Sequence, residues 1–252
     1  MIQKKYGWIP DLPDQRDHLY SVPVLKPVPL PIAVDLTAQC PPVYDQGQLG
    51  SCTGNAIAGA IQFDKLRQHL DGSTPPSRLF IYFNERVIEG TVESDSGAQI
   101  RDGIKSVAKL GACDETLWPY DITQFRTKPA KNCYLEALKH TAVDYQRLDQ
   151  NLVMMKSCLA AGNPFVFGFT VYESFEGAAV AKTGVVPMPE PGEKVLGGHA
   201  VLAVGYEDKS DSFIVRNSWG TAWGKNGYFT IPYNYLVSSN LAADFWAIRL
   251  VK

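Results

Sequence analysis

Cysteine is scarce in this chain of 252 residues: the five present, at positions 40, 52, 113, 133 and 158, are odd in number and show no CxxC spacing. That speaks against a zinc site and against a disulfide framework, and for a reducing, cytoplasmic setting. An excess of charge is also missing. With 24 basic and 26 acidic residues the formal net charge is −2, so neither nucleic acid nor an anionic membrane surface is an expected partner. No apolar run reaches the length needed to span a bilayer, and Lys4 and Lys5 near the start have no apolar run behind them to make a signal peptide. No metal and no cofactor is expected, and the chain reads as a monomer.

What the sequence does hold is enough apolar material, 45% of residues, for one large core or two moderate ones. Eight of its seventeen prolines (Pro10, Pro13, Pro23, Pro27, Pro29, Pro31, Pro41 and Pro42) fall in the first 42 residues. Such a segment can be neither helix nor central strand, so it should run extended over the surface of something else. Tyr6, Trp8, Ile9, Leu12 and Leu19 suggest docking. Residues 1–34 are therefore expected as an extension on the body, either a latch across a cleft, inhibiting the chain from within, or a staple between its halves.

Beyond the extension, helices are expected from Ala56 to Leu70, from Arg78 to Ile88, from Ile100 to Leu110 after a capping turn at Ser94–Gly97, and near Asn132 to His140. In the third of these, Arg101, Asp102, Lys105 and Lys109 are placed toward water. The character changes near residue 144. One more helix, Asp149 to Ala161, is followed by strands at Phe165–Tyr172, His199–Tyr206, Ser212–Arg216, Gly227–Ile231 and Phe245–Val251. The outline is α+β, a helical lobe (35–143) followed by a β-rich lobe (144–252), with the natural site in the cleft between them.

The helical lobe opens on Asp45-Gln46-Gly47-Gln48-Leu49-Gly50-Ser51-Cys52-Thr53-Gly54-Asn55-Ala56. A glycine-punctuated turn delivers Cys52 to the start of a helix rich in small residues, with Ser51 as N-cap. There the backbone N–H groups and the helix dipole favour thiolate over thiol. Taken alone, Cys52 reads as a small buried hydrophobe, the commonest fate of a free cysteine, until the rest of the chain is read. The β-rich lobe supplies candidate partners. Gly197-Gly198-His199 starts one apolar strand, and Asn217-Ser218-Trp219-Gly220 ends the next, so antiparallel pairing can set His199 beside Asn217. A thiolate–imidazolium pair needs such an arrangement, with the amide holding the ring's rotamer and tautomer. Gln46 can aim its amide at the point faced by the Cys52 N–H, making an oxyanion hole. His18, His69 and His140 read as surface or capping residues. Cys40, Cys113, Cys133 and Cys158 read as buried thiols, with a Cys113–Cys133 disulfide as the alternative. The Glu115–Trp118–Tyr120 loop reads as packing.

These residues resemble the papain-like cysteine peptidases. The likeness rests on Gln46-Gly47…Gly50-Ser51-Cys52, on Gly198-His199-Ala200-Val201…Val204-Gly205-Tyr206, and on the run from Asn217-Ser218-Trp219-Gly220 to Gly224-Lys225-Asn226-Gly227-Tyr228. It covers roughly residues 33 to 250 and implies a two-lobed papain-like fold, with a helical lobe and an antiparallel, β-barrel-like lobe. It also implies Cys52 as nucleophile, His199 as acid/base, Asn217 as orienting residue and Gln46 as oxyanion donor, acting on a polypeptide substrate. Trp219 would shield the His199–Asn217 bond, and Gly50, Ser96, Gly97, Gly198 and Trp219 would meet substrate. The chief pocket would be lined by Gly97, Ala98, Gly168, Gly197 and Ala200, open to a bulky apolar side chain unless the loop from Val185 to Leu196 fills it.

The sequence departs from the family where Thr53 replaces a tryptophan, where Leu49 and Ser94 replace a disulfide pair, and where Gly198 replaces a residue often acidic. The extension is also shorter than the family's long helical pro-segment, as in a bacterial-type member. The reading is of a thiol endopeptidase. The alternatives are a catalytically inactive binding protein of the same fold, for which Thr53 leaves room, and a thiol acyl-transferase or exopeptidase.

Overall fold

One helix, α1 (Cys52–Arg67), is buried at every residue from Cys52 to Lys65. Its run of Ala, Gly and Ile leaves no polar face, so the rest of the chain has to close around it, and burial supplies its stability. The computed structural model describes residues 5–21, 29–141 and 143–250. Met1–Lys4, Pro23, Pro27 and the Val251 strand end lie outside them.

Around α1 stand α2 (Arg78–Glu89) and α3 (Ile100–Leu110), with α4 (Lys131–Ala137) packed on α2 through Phe80, followed by α5 (Leu152–Ala160), α6 (Ala178–Thr183) and α7 (Tyr233–Val237). Asn151 accepts from the N–H groups of Val153 and Met154, which is why α5 starts at Leu152 and not at Asp149. The Ser94–Gly97 turn does not cap α3; Gln99 holds that position, without a side-chain bond.

The strands are β1 (Ala33–Asp35), β2 (Val143–Arg147), β3 (Phe165–Tyr172), β4 (Val195–Glu207), β5 (Ser212–Arg216), β6 (Tyr228–Pro232) and β7 (Ala242–Leu250). They form one antiparallel sheet in the order β2-β7-β3-β4-β5-β6, with β1 added to the end of β4. The fold is α+β as expected. The sheet stays open among the described residues, however, because its end strands β2 and β6 do not pair, so the barrel-like closure does not occur. Short β1 and β2 lack a strong alternation of their own and take their place by pairing with β4 and β7.

Helix α1 packs on β4 and β7 on one side and on α2 and α3 on the other. A continuous core therefore joins Ile57, Ile61 and Phe63 to Phe165, Phe167, Leu202 and Trp246. All five cysteines are free thiols, and Cys113 and Cys133 are neighbours in a smaller cluster with Phe80 and Ala137. No helix among the described residues is long and apolar enough to cross a membrane.

Candidate active site

Cys52 is the first residue of α1, fully buried. Ser51 occupies the N-cap position but makes no cap bond; its hydroxyl meets the Tyr120 hydroxyl and accepts from Asn55 Nδ2 at 3.1 Å. The thiolate expected at a helix start is not favoured in this state. Burial pushes the Cys52 thiol up to about 12, although N–H groups of Ala200, Gly7 and Thr53 work against the rise.

His199 lies on β4, one residue before that Ala200, and Asn217 follows the last residue of β5, the strand beside it. The predicted juxtaposition is present: His199 Nε2 meets Asn217 Oδ1 at 2.8 Å, both residues buried. The Trp219 ring stacks on the imidazole at 4.9 Å between centroids and 25° between planes, covering that bond. Gln46 is tied to the same turn, its N–H donating to the Ser218 carbonyl at 2.8 Å and its Oε1 accepting from Ser218 Oγ at 2.6 Å. Its Nε2 is thereby turned outward, donating to the Leu49 carbonyl at 2.9 Å and to the Lys5 carbonyl at 3.2 Å.

Lys5 belongs to the N-terminal extension, which threads the cleft. The Gly198 carbonyl accepts from the N–H groups of Gly7 (3.1 Å) and Trp8 (2.9 Å). On the opposite wall, Ala98 N–H donates to the Gly7 carbonyl at 2.7 Å and Ile9 N–H to the Ala98 carbonyl at 3.0 Å, a parallel bridge between Trp8 and Ala98. The Tyr6 ring stands edge-on to His199 and Trp219, 6.1 Å from each. Gly50 and Gly97 flank this strap so closely that a Cβ on Gly97 would overlap the Gly7 carbonyl. Ser96 is half-buried and its hydroxyl donates to the Gly97 carbonyl at 3.1 Å, not to the strap. The residues predicted to meet substrate are thus gathered in one cleft, and all but Ser96 lie against the strap.

Trp8, and not the loop from Val185 to Leu196, fills the expected pocket. Its ring lies against Gly168 and Gly198, where side chains would collide with it, and its Nε1 donates to Asp244 Oδ2 at 3.1 Å. Farther along, Asp17 receives both Nε (3.0 Å) and Nη2 (2.7 Å) of Arg101. Arg101, expected toward water, is buried beneath the strap instead. Tyr20 N–H donates to the Arg147 carbonyl at 2.8 Å and Arg147 N–H to the His18 carbonyl at 2.7 Å, extending the contact to β2. The strap therefore both crosses the cleft and staples α3 to the sheet.

Further residues, among them Glu85, Asp95 and Tyr82, which sequence reasoning did not single out, complete the surroundings. Thr53, in place of the usual tryptophan, donates its hydroxyl to Glu85 Oε1 of α2 at 2.5 Å. Glu85 is wholly buried, and burial holds its carboxyl well above the usual range, which favours its neutral form. Asp95 accepts from the Gly50 N–H at 3.0 Å and from the Tyr82 hydroxyl at 2.6 Å, fixing the turn before Cys52. The Tyr120 loop is more than packing, because Tyr120 also donates to the Gln46 carbonyl at 3.0 Å while Arg78 lies 3.9 Å over its ring and pairs with Glu115 at 2.7 Å. Of these contacts, those of Asp95 have a local signal in the sequence, the Asp within the Ser94–Gly97 turn.

A family profile described as papain family cysteine protease matches residues 30–245. Among solved structures, xylellain, a cysteine protease from Xylella fastidiosa, superposes with a TM-score of 0.92 at 45% identity, covering 100% of this chain and 99% of that one. The peptidase C1-like protein L477 of Acanthamoeba polyphaga mimivirus is 44% identical over 99% of this chain and 88% of its own length. The cathepsin B-like CP3 of Giardia intestinalis is 33% identical over 76% of this chain, which spans 64% of it.

Proposed function

Because the chain belongs to the papain family of cysteine proteases, we propose that Cys52 is its nucleophile, His199 its general acid and base, Asn217 the residue that orients His199, and Gln46 an oxyanion donor. The chain is a cysteine peptidase; the roles of these residues and the steps of the reaction are our reading.

The Cys52 proton passes to His199 Nδ1, the ring nitrogen turned away from Asn217, and Sγ attacks the scissile carbonyl. The oxyanion takes hydrogen bonds from the Cys52 N–H and from Gln46 Nε2, each such donor worth roughly 10²–10³ in rate. Collapse gives a thioester as His199 protonates the leaving amine. Water, deprotonated by the same imidazole, then releases the acid. Asn217, by accepting the Nε2 proton, keeps the tautomer that this exchange requires. The 2.8 Å bond between His199 and Asn217 beneath Trp219, beside the start of α1, carries this reading. Replacing Cys52 by Ala in the full chain should abolish hydrolysis of denatured casein with the melting temperature kept; surviving hydrolysis would overturn the assignment.

The reaction we favour is endopeptidase cleavage. The strap from Lys5 to Pro10 passes through the cleft as continuous extended chain, which supports a groove that accepts the middle of a polypeptide. The same strap holds most molecules of the resting chain closed and leaves an open fraction to turn over. It fills the place of substrate at Gly198 and Ala98, its Lys5 carbonyl takes the Gln46 donor, and it buries Cys52 as a thiol.

A further inference from the structure

The pocket filled by Trp8 has a floor built for one kind of chemistry. Asp244 is almost fully buried, and its backbone adopts a positive φ of 59°, which non-glycine residues rarely take. The register between β3 and β7 shifts here: Val166 faces Trp246 and Gly168 faces Ala243, so Asp244 and Phe245 together oppose Phe167. Such a bulge re-aims a side chain. The carboxylate it presents accepts from Trp8 Nε1 at 3.1 Å and from the Asp11 N–H at 2.8 Å. Both donors belong to the strap. From the body of the protein, Arg147 Nη2 approaches Asp244 Oδ1 at 3.7 Å.

When the strap leaves, both of those hydrogen bonds leave with it, and a buried carboxylate faces a slot whose walls are the bare backbones of Gly168 and Gly198. A buried acceptor that loses its donors is costly unless the next occupant replaces them. We infer that this pocket selects tryptophan in the polypeptide substrate, the flat ring lying on Gly168 and Gly198 and its N–H donating to Asp244. A cation fits less well, because the guanidinium group of Arg147 already faces that carboxylate and the charge of Arg101 also acts on it. Phenylalanine and leucine fill the slot but bring no donor. Trp8 is in this sense a copy of the side chain that the cleft is made to read. The inference rests on the peptidase reading above and names the substrate class for that site.

The test uses the full-length Trp8→Ala protein, in which the slot is vacated. Digestion of a mixed peptide library, with cut sites mapped by mass spectrometry, should enrich tryptophan about ten-fold over phenylalanine at one fixed position beside the cut, the discrimination expected when a built acceptor meets its donor. Asp244→Asn, which keeps an acceptor and tolerates the positive φ, should preserve the enrichment, and Asp244→Leu should remove it. Cutting without tryptophan enrichment, or with arginine enriched instead, overturns the inference and leaves the peptidase reading intact.

A second measurement needs no turnover. Indole should raise the melting temperature of the Trp8→Ala protein at concentrations about ten-fold lower than its isostere indene, which lacks the N–H. Gly168→Ala, which puts a Cβ where the ring lies, should abolish the response even if Asp244→Leu fails to fold. Equal binding of indole and indene, or none, overturns the inference. Absence of cutting together with a Cys52 inert to iodoacetamide sinks the peptidase reading itself.

Discussion

Gly7 and Gly50 pass with their main chains in contact, so that a Cβ on Gly7 would overlap the Gly50 carbonyl group. Only glycine lets the strap lie this deep in the turn before Cys52. Gly7→Ala should weaken docking by about 1–3 kcal/mol, the range for overpacking a filled site. Hydrolysis of a fluorogenic dipeptide by the full-length variant should rise about ten-fold over the parent chain, since 1.4 kcal/mol is about a factor of ten. Equal rates would count against self-inhibition by this segment.

Docking should also be legible in thiol chemistry. With burial pushing Cys52 up to about 12, the resting protein should alkylate with iodoacetamide at pH 7.5 more slowly than free glutathione. Gly7→Ala should reverse the order, as the thiol regains water and the imidazole. Fast alkylation of the parent chain would show that Cys52 is not held as a buried thiol.

The strap's hold should depend on pH through Asp11. Burial first, and then the charge of Asp244, raise its carboxyl from 3.8 to about 7, against hydrogen bonds from the Arg101 N–H and Trp246 Nε1. Asp17, Glu89, Arg101 and Arg147 complete the charged surroundings. Docked Asp11 keeps its proton more tightly than free Asp11, so its contribution is complete below about pH 4 and is lost as pH rises through 7. Protection factors in residues 5–21, corrected for the intrinsic rise of amide exchange with pH, should fall between pH 5 and pH 8, and Asp11→Asn should flatten that trend. A pH-independent parent chain would refute it.

Behind Cys52, Thr53 and Glu85 form a buried pair in which burial favours the neutral form of Glu85. Thr53→Val removes a donor and should cost about 1–3 kcal/mol in urea unfolding. Glu85→Gln should cost less, since burial already favours the neutral carboxyl and the amide that replaces it is neutral too. Because the folded pKa of Glu85 is raised, the parent loses stability as pH rises toward that value, and the Gln variant should not. Equal costs for the two changes would refute the assignment of a neutral Glu85.

The residues proposed to do the chemistry are legible in the sequence because their spacing is set by local structure. A glycine turn before a small-residue helix gives Cys52, and adjacent strands give His199 and Asn217. The α+β order and most element positions follow from periodicity. Burial set by distant chain does not. Arg101 has the pattern of a solvent-facing helix residue and is covered only because Asp17, 84 residues earlier, docks on it. Asp244 lies on a strand whose bulge is fixed by its partner β3, and no local pattern announces it. Ser51 holds the N-cap position expected of it, but Tyr120 takes its hydroxyl, a contact across 69 positions.

Because the strap is covalently joined to the cleft it fills, its effective concentration there is set by geometry and does not change with how much protein is present. If the strap inhibits as proposed, an incoming peptide meets only the open fraction of molecules, and its apparent affinity is its intrinsic affinity reduced by that fraction. Specific activity should therefore be the same in a dilute and a concentrated solution. Dilution, which relieves inhibition by a separate molecule, leaves this one in place.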